Sequence, residues 1–223
     1  MWCAPKRAQT GRIAEAQPRT CANAALKVFQ MNWQYTKRDD GLIAVTLDNN
    51  VWDFLFAKKM DLAAELPSDE FVISITREVE IESMAIPPDT EYRTKLKDYI
   101  ARTIDRCDIR TTSVFGFAGG GPGPERVGGF GQGTWQSPTE REFYDAIREQ
   151  YLLGRRETNS QLTQNEADAA VAATSFSSIV LTCDSKRGPL RFAAEHGGKV
   201  LFLREVDLGG TTLKASIVAL HPA

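Results

Sequence analysis

The chain has 223 residues, 42% of them hydrophobic and 25% charged, with 27 Lys and Arg against 29 Asp and Glu and a net charge near −2. This is the profile of an ordinary globular protein long enough to bury a real core, without a global basic field for nucleic acid, although a local basic rim around an acidic site stays compatible with it. The four cysteines, Cys3, Cys21, Cys107 and Cys183, form no Cys-x-x-Cys pair, and the only histidines are His196 and His221. Zinc ribbons, a disulfide framework and chemistry built on several histidines are thereby disfavoured. A reducing, cytoplasmic location is the natural expectation, with both histidines at the surface. No apolar run is long enough to span a bilayer, so no membrane role is expected.

Residues 1–30 carry Lys6, Arg7, Arg12, Arg19 and Lys27 against the single acid Glu15. They lack the apolar stretch of a secretory signal. A transit peptide is conceivable for so basic and acid-poor a stretch, but the preferred expectation is a basic extension outside the fold, with Met31 as the start of a single domain over 31–223; Ala22 to Phe29 could form a short helix. Asp39-Asp40-Gly41 signals a turn. Leu42 to Leu47 is then an apolar run of strand length that stops at Asp48-Asn49-Asn50, after which Val51, Phe54, Leu55, Leu62 and Leu66 recur at helical spacing. A second strand is expected at Phe71–Ser74, followed by an acid-rich helix through Glu78, Glu80 and Glu82 that Pro87-Pro88 terminates. Asp89 or Thr90 caps a further helix to about Cys107, with Tyr92, Leu96, Tyr99, Ile100 and Ile104 on its apolar stripe.

The segment from Val114 to Trp135 is a glycine-rich insertion with neither a Walker phosphate loop nor a dinucleotide fingerprint. Phe115, Phe117, Phe130, Trp135 and Arg126 could form a flap that stacks bases, but a loop whose aromatics pack onto the body is the preferred reading. Ser137-Pro138-Thr139-Glu140 is a capping box opening a helix through Phe143, Ile147 and Tyr151. Thr163-Gln164-Asn165-Glu166 is a second, opening a helix that contains Asp168. Ile179–Cys183 reads as a strand ended by Asp184, Pro189–His196 as a short helix closed by glycines, Lys199–Leu203 as a strand, and Thr211–Leu220 as a final edge strand. Alternating strands and helices argue an α/β fold with a mostly parallel sheet.

Asp48 and Asp184 directly follow apolar strands, so in a parallel sheet they can meet beyond its carboxyl edge, where ligands bind. Asp168 precedes the Asp184 strand, and the cluster Glu78/Glu80/Glu82 supplies a fourth acid. Singly, each has a plainer explanation: Asp48 and Asp184 as helix caps, Asp168 and the glutamates as solvated helix faces. Together, four such carboxylates repel one another unless a cation neutralises them, and an all-oxygen set favours Mg²⁺ or Mn²⁺.

These stretches resemble the PIN-domain nucleases. The matching pieces are a strand followed by Asp48-Asn49-Asn50-Val51, Glu80 after Ile73-Ser74, Asp168-Ala-Ala-Val-Ala-Ala173, and Leu181-Thr182-Cys183-Asp184, in the family's order. The resemblance covers roughly residues 42–86 and 163–203. It implies a three-layer α/β/α sandwich with a mostly parallel central sheet. It further implies a Mg²⁺- or Mn²⁺-dependent endoribonuclease, often the toxin of a toxin–antitoxin pair. In that case Asp48, Glu80, Asp168 and Asp184 hold the metal and carry catalysis, with Glu78 and Glu82 as alternatives for the second acid. Asn50 and Thr182 support them, and Lys186 and Arg187 meet the RNA backbone. Partners would be RNA, an antitoxin protein and a second copy of the chain. The sequence departs from the family pattern at Asn49, at Trp52 and in its glycine-rich insertion, at about 114–136. A haloacid-dehalogenase-type phosphatase also begins with a strand-end Asp, but needs a second Asp where this chain has Asn50. The non-enzymatic alternative is an inactive PIN-like module that binds RNA or protein.

Overall fold

The computed structural model describes residues 33–112, 114–115, 127–128, 137–152, 162–163, 165–206 and 208–222. The chain divides into Met1–Met31 and Asn32–Ala223, and every described residue belongs to the second unit. The expectations for residues 1–30, and most of those for the glycine-rich insertion, lie outside the described residues.

The first strand, β1 (Ile43–Leu47), leads into helix α1 (Asn50–Lys58). A one-turn helix α2 (Leu62–Glu65) precedes β2 (Phe71–Thr76), which runs directly into α3 (Arg77–Ala85). Next come α4 (Glu91–Arg106) and β3 (Arg110–Thr112). The two-residue strands β4 (Val114–Phe115) and β5 (Val127–Gly128) pair with each other in parallel. The chain finishes with α5 (Pro138–Tyr151), α6 (Glu166–Thr174), β6 (Ile179–Thr182), α7 (Pro189–Glu195), β7 (Val200–Phe202) and α8 (Leu213–Leu220).

The main sheet has the order β3-β2-β1-β6-β7, and each neighbouring pair is parallel. Helices cover both faces, giving the expected three-layer α/β/α sandwich: α1 and α2 pack with α4, while α6 lies on β1, β2 and β6 and meets α3, α5 and α7. Burial on both faces is why β1 and β6 read as continuous apolar runs. Val45, Leu47, Ile179, Val180 and Leu181 are fully buried. One polar seam crosses this core: Thr46 is hydrogen-bonded to Ser178 at 2.6 Å and lies 3.3 Å from Ser74, its register partner on β2.

Several local expectations need correction. The single helix from Val51 to Leu66 is two, because Lys59 is left-handed (φ 51°). There the Lys59 N–H bonds the Phe56 carbonyl and the Met60 N–H the Leu55 carbonyl, which is a Schellman stop. Thr211–Leu220 is not an edge strand but α8. The Thr212 hydroxyl accepts the Ala215 N–H, and Leu213 and Ile217, one turn apart, are both buried. The second capping box is only half formed. Glu166 is the first helical residue, and its carboxylate accepts both the Thr163 N–H and its hydroxyl, while Asn165 occupies the cap position in a left-handed conformation. The Ser137–Glu140 box is complete in both directions. Edge strand β3 had no apolar run to announce it. His196 is half-buried, with its ring stacked on Phe192 at 4.0 Å, and His221 is half-buried beside Tyr35.

Gly198, in the turn between α7 and β7, sits where a Cβ would lie 2.2 Å from Ser175 Oγ and 3.0 Å from the Ala193 carbonyl oxygen. Ser175 is fully buried and its hydroxyl donates to the Ala172 carbonyl at 2.6 Å, so it has little room to yield. Gly198→Ala is expected to cost about 1–3 kcal/mol in urea unfolding, the scale of an overpacked core position.

Candidate functional site

The strand order reverses at β1: the chain steps outward through β2 and β3, then returns to lay β6 and β7 on the other side. The carboxyl ends of β1 and β6 therefore flank the switch point at which open α/β sheets form ligand clefts. Asp48 follows β1 there, and Asp184 stands two residues beyond β6.

Asp48 is only 2% exposed. Its carboxylate does not cap α1, the plainer reading of a strand-end Asp. It accepts the Asn49 N–H at 2.7 Å on Oδ1, and the Asn50 amide and the Thr182 hydroxyl, both at 2.6 Å, on Oδ2. Asn50 also accepts the Cys183 N–H at 2.6 Å, and the Thr182 oxygen accepts the Asp184 N–H at 3.0 Å. Asn50 and Thr182 thus fasten the end of β1 to the end of β6 around one carboxylate. Asp184 does not cap a helix either; Gly188 precedes α7, and Asp184 Oδ1 accepts the Lys186 N–H at 3.0 Å.

Burial pushes the Asp48 carboxyl above its ordinary range, and the charge of Asp184 adds to that rise. The hydrogen bonds from Thr182, Asn49 and Asn50 oppose it. Among the described residues no Lys or Arg forms an ion pair with Asp48. A desolvated acid beside another acid is a place where a cation would be stabilised.

Asp168, the third residue of α6, is half-buried and lines the same cleft as Asp184. That cleft, about 260 Å³, is also walled by Asn165 and by the exposed Lys186 and Arg187. Glu80 is half-buried and ion-paired with Arg77. Helix geometry separates it from Glu78 and Glu82. Ser83 on α3 donates to Asn49 Oδ1 at 2.9 Å, which fixes the face of α3 that meets the β1–α1 turn. At about 100° per residue, Glu80 lies roughly 60° from Ser83, Glu82 roughly 100° and Glu78 roughly 140°. Glu80 is the glutamate nearest that face.

Asp48 and Asp184 are thus brought together, Asp168 shares the cleft with Asp184, and Glu80 stands on the nearest face of α3. Among the described residues no three His, Cys, Asp or Glu groups are close enough together to hold a metal ion. Mg²⁺ is commonly held by one or two carboxylates and keeps several waters, so Asp48 and Asp184 are the residues that could hold such an ion. Sequence reasoning missed Ser83, which carries no motif signal, and the role of Asn49, which it noted only as a departure within the matched motif; their hydrogen bond ties the turn to α3. A larger cleft of about 440 Å³ lies between α2 and α4, but Asp61, the acid that lines it, is ion-paired to Arg106.

No protein-family model matches this chain, and neither a curated protein nor a solved structure matches it. No helix among the described residues is long and apolar enough to cross a membrane.

The raised Asp48 carboxyl gives a signed pH dependence. From 3.8, its ordinary value, upward, the folded chain holds this proton while the unfolded chain loses it. Stability therefore falls as pH rises through that window, until the folded carboxyl also ionises. In EDTA, urea unfolding from about pH 4 to about pH 7 is expected to show wild type losing stability relative to Asp48→Asn as pH rises. A pH-independent difference would contradict the assignment.

Proposed function

We propose that the chain is a metal-dependent endoribonuclease of the PIN type, hydrolysing RNA phosphodiester bonds at the β1–β6 switch point. One observation carries this reading: a buried Asp48, ion-paired with no Lys or Arg among the described residues and locked by Asn50 and Thr182 against the strand end that presents Asp184. Asp48 and Asp184 would hold Mg²⁺ or Mn²⁺, with Asp168 and Glu80 completing the acidic surround. When bound, such an ion supplies Lewis-acid polarisation of a phosphodiester and activation of water.

The chain's own groups do the rest. Asn50 and Thr182 engage Oδ2 and keep the Asp48 carboxylate from rotating, so the one lone pair left on Oδ1 faces a fixed direction. Lys186 and Arg187, exposed on the rim of the acidic cleft, supply positive charge to a phosphate backbone that the carboxylates would otherwise repel. Within this reading a toxin–antitoxin role, with an antitoxin partner and a homodimer, is the extension that the family likeness suggests.

The separation of the acids favours a second reading. Since no three of them form a metal-holding group among the described residues and Glu80 is paired with Arg77, an inactive PIN-like module that binds RNA or protein also fits. Titration calorimetry with Mn²⁺ separates the two: binding that Asp184→Asn removes supports the nuclease, and no binding supports the module.

Labelled RNA incubated with the full chain and Mn²⁺ is expected to be cleaved, and EDTA to stop the cleavage. Thr182→Val and Asn50→Ala should lower the rate about 10–100-fold, as for groups that orient a metal ligand. Asp48→Asn should lower it further without unfolding the chain, as checked by circular dichroism. Equal activity in Asp48→Asn and wild type would refute the proposal.

A further inference from the structure

The segment Cys183–Gly188 carries Asp184, Lys186 and Arg187, so its placement governs any chemistry at the switch point. Its first residues are held by Asn50 on the β1 side, which accepts the Cys183 N–H, and by Thr182 at the end of β6, which accepts the Asp184 N–H. From there the segment turns outward, and Ser185, Lys186 and Arg187 are exposed. An exposed loop of this kind moves unless something holds its far side.

Arg191, on the first turn of α7, is placed to do so. Its guanidinium donates to the Ser185 carbonyl from both Nε, at 3.3 Å, and Nη2, at 2.9 Å. The same Nη2 reaches Glu205 at 2.6 Å, and the guanidinium carbon lies 3.9 Å over the Phe202 ring. Phe202 ends β7 and is buried, and Glu205 stands in the turn that follows it, where its N–H bonds the Phe202 carbonyl at 2.9 Å. One planar side chain thereby spans three pieces of chain: the β6–α7 loop, α7 itself and the end of β7.

We propose that Arg191 is a positioning residue that braces the Asp184–Arg187 loop against β7 and so fixes where the Asp184 carboxylate and the two cations stand. In its metal-binding consequence the proposal rests on the nuclease reading; in its structural consequence it does not. The geometry requires arginine. A lysine ammonium is a point charge that cannot present two donors to Ser185, reach Glu205 and lie flat on Phe202 at once. The Asx turn from Asp184 to the Lys186 N–H makes the coupling direct, because a shift of the Ser185 peptide between them moves both groups.

The test is amide hydrogen exchange on the full chain, with Mn²⁺ titration calorimetry beside it, for wild type, Arg191→Gln and Arg191→Lys. The Asp184 and Lys186 amides are expected to exchange about tenfold faster in both variants while those of β1 and β2 keep their rates. Mn²⁺ binding is expected to weaken about tenfold, the scale for a group that orients a metal ligand. Unchanged loop exchange in Arg191→Gln overturns the brace. So does equal acceleration throughout the sheet, which would mark Arg191 as generally structural. Wild type that binds no Mn²⁺ would sink the nuclease reading, and the loop exchange would still decide the brace.

Discussion

The arrangement at the switch point depends on a carboxylate that is out of water and surrounded by donors. Burying an ionised acid is costly unless its oxygens are hydrogen-bonded, and Asp48 receives three such bonds from a backbone N–H, an amide and a hydroxyl. Two of the donors, Asn50 and Thr182, have second commitments to the chain beyond β6. The need to satisfy one acid therefore aligns two strands, the helix start at Asn50 and the loop that carries Asp184. The remaining unfavourable contribution, burial beside a like charge, is one that a bound cation would relieve.

Charge is organised around that point in layers. The buried acid is innermost, half-buried Asp184 and Asp168 stand in the cleft, and Lys186 and Arg187 lie on its exposed rim. Such a gradient lets an acidic centre coexist with an approaching polyanion, since the rim meets the phosphates first. An overall charge near neutrality does not count against the proposed nucleic-acid substrate, because the field that matters is local.

The β1 and β6 strands were legible in the sequence because parallel strands buried on both faces need uninterrupted apolar runs, and their ends were legible because acids follow at once. The α3 helix was legible from its acid-rich start and the proline pair beyond it, and α4 from its Asp89 or Thr90 cap and apolar stripe. What was hidden was decided by tertiary context. Arg110-Thr111-Thr112 becomes a strand only because β2 offers it a partner. The stretch from Leu213 carries both strand-like alternation and an i, i+4 pair, and the Thr212 cap selects the helix. Lys59 stops α1 without the glycine that usually marks a left-handed cap. For the site, the residues themselves pointed to the acids Asp48, Asp168, Asp184 and the Glu78/Glu80/Glu82 cluster, and the family resemblance added Asn50 and Thr182. The links from Ser83 to Asn49 and from Arg191 to Ser185 join residues far apart in type and place, and no spacing rule encodes them.

The hydrogen bond from Thr182 to Asp48 closes a span of 134 residues. Its neighbours in the network close spans almost as long. Contacts this remote cannot form in a growing chain until the intervening segment has left the ribosome. At roughly 5–20 residues per second, synthesis separates the appearance of Asp48 from that of Thr182 by several seconds or more. The β1 end thus spends the first part of its life as half a pocket, with its carboxylate still in water. Whatever the pocket does therefore requires a chain that has been made at least as far as the end of β6.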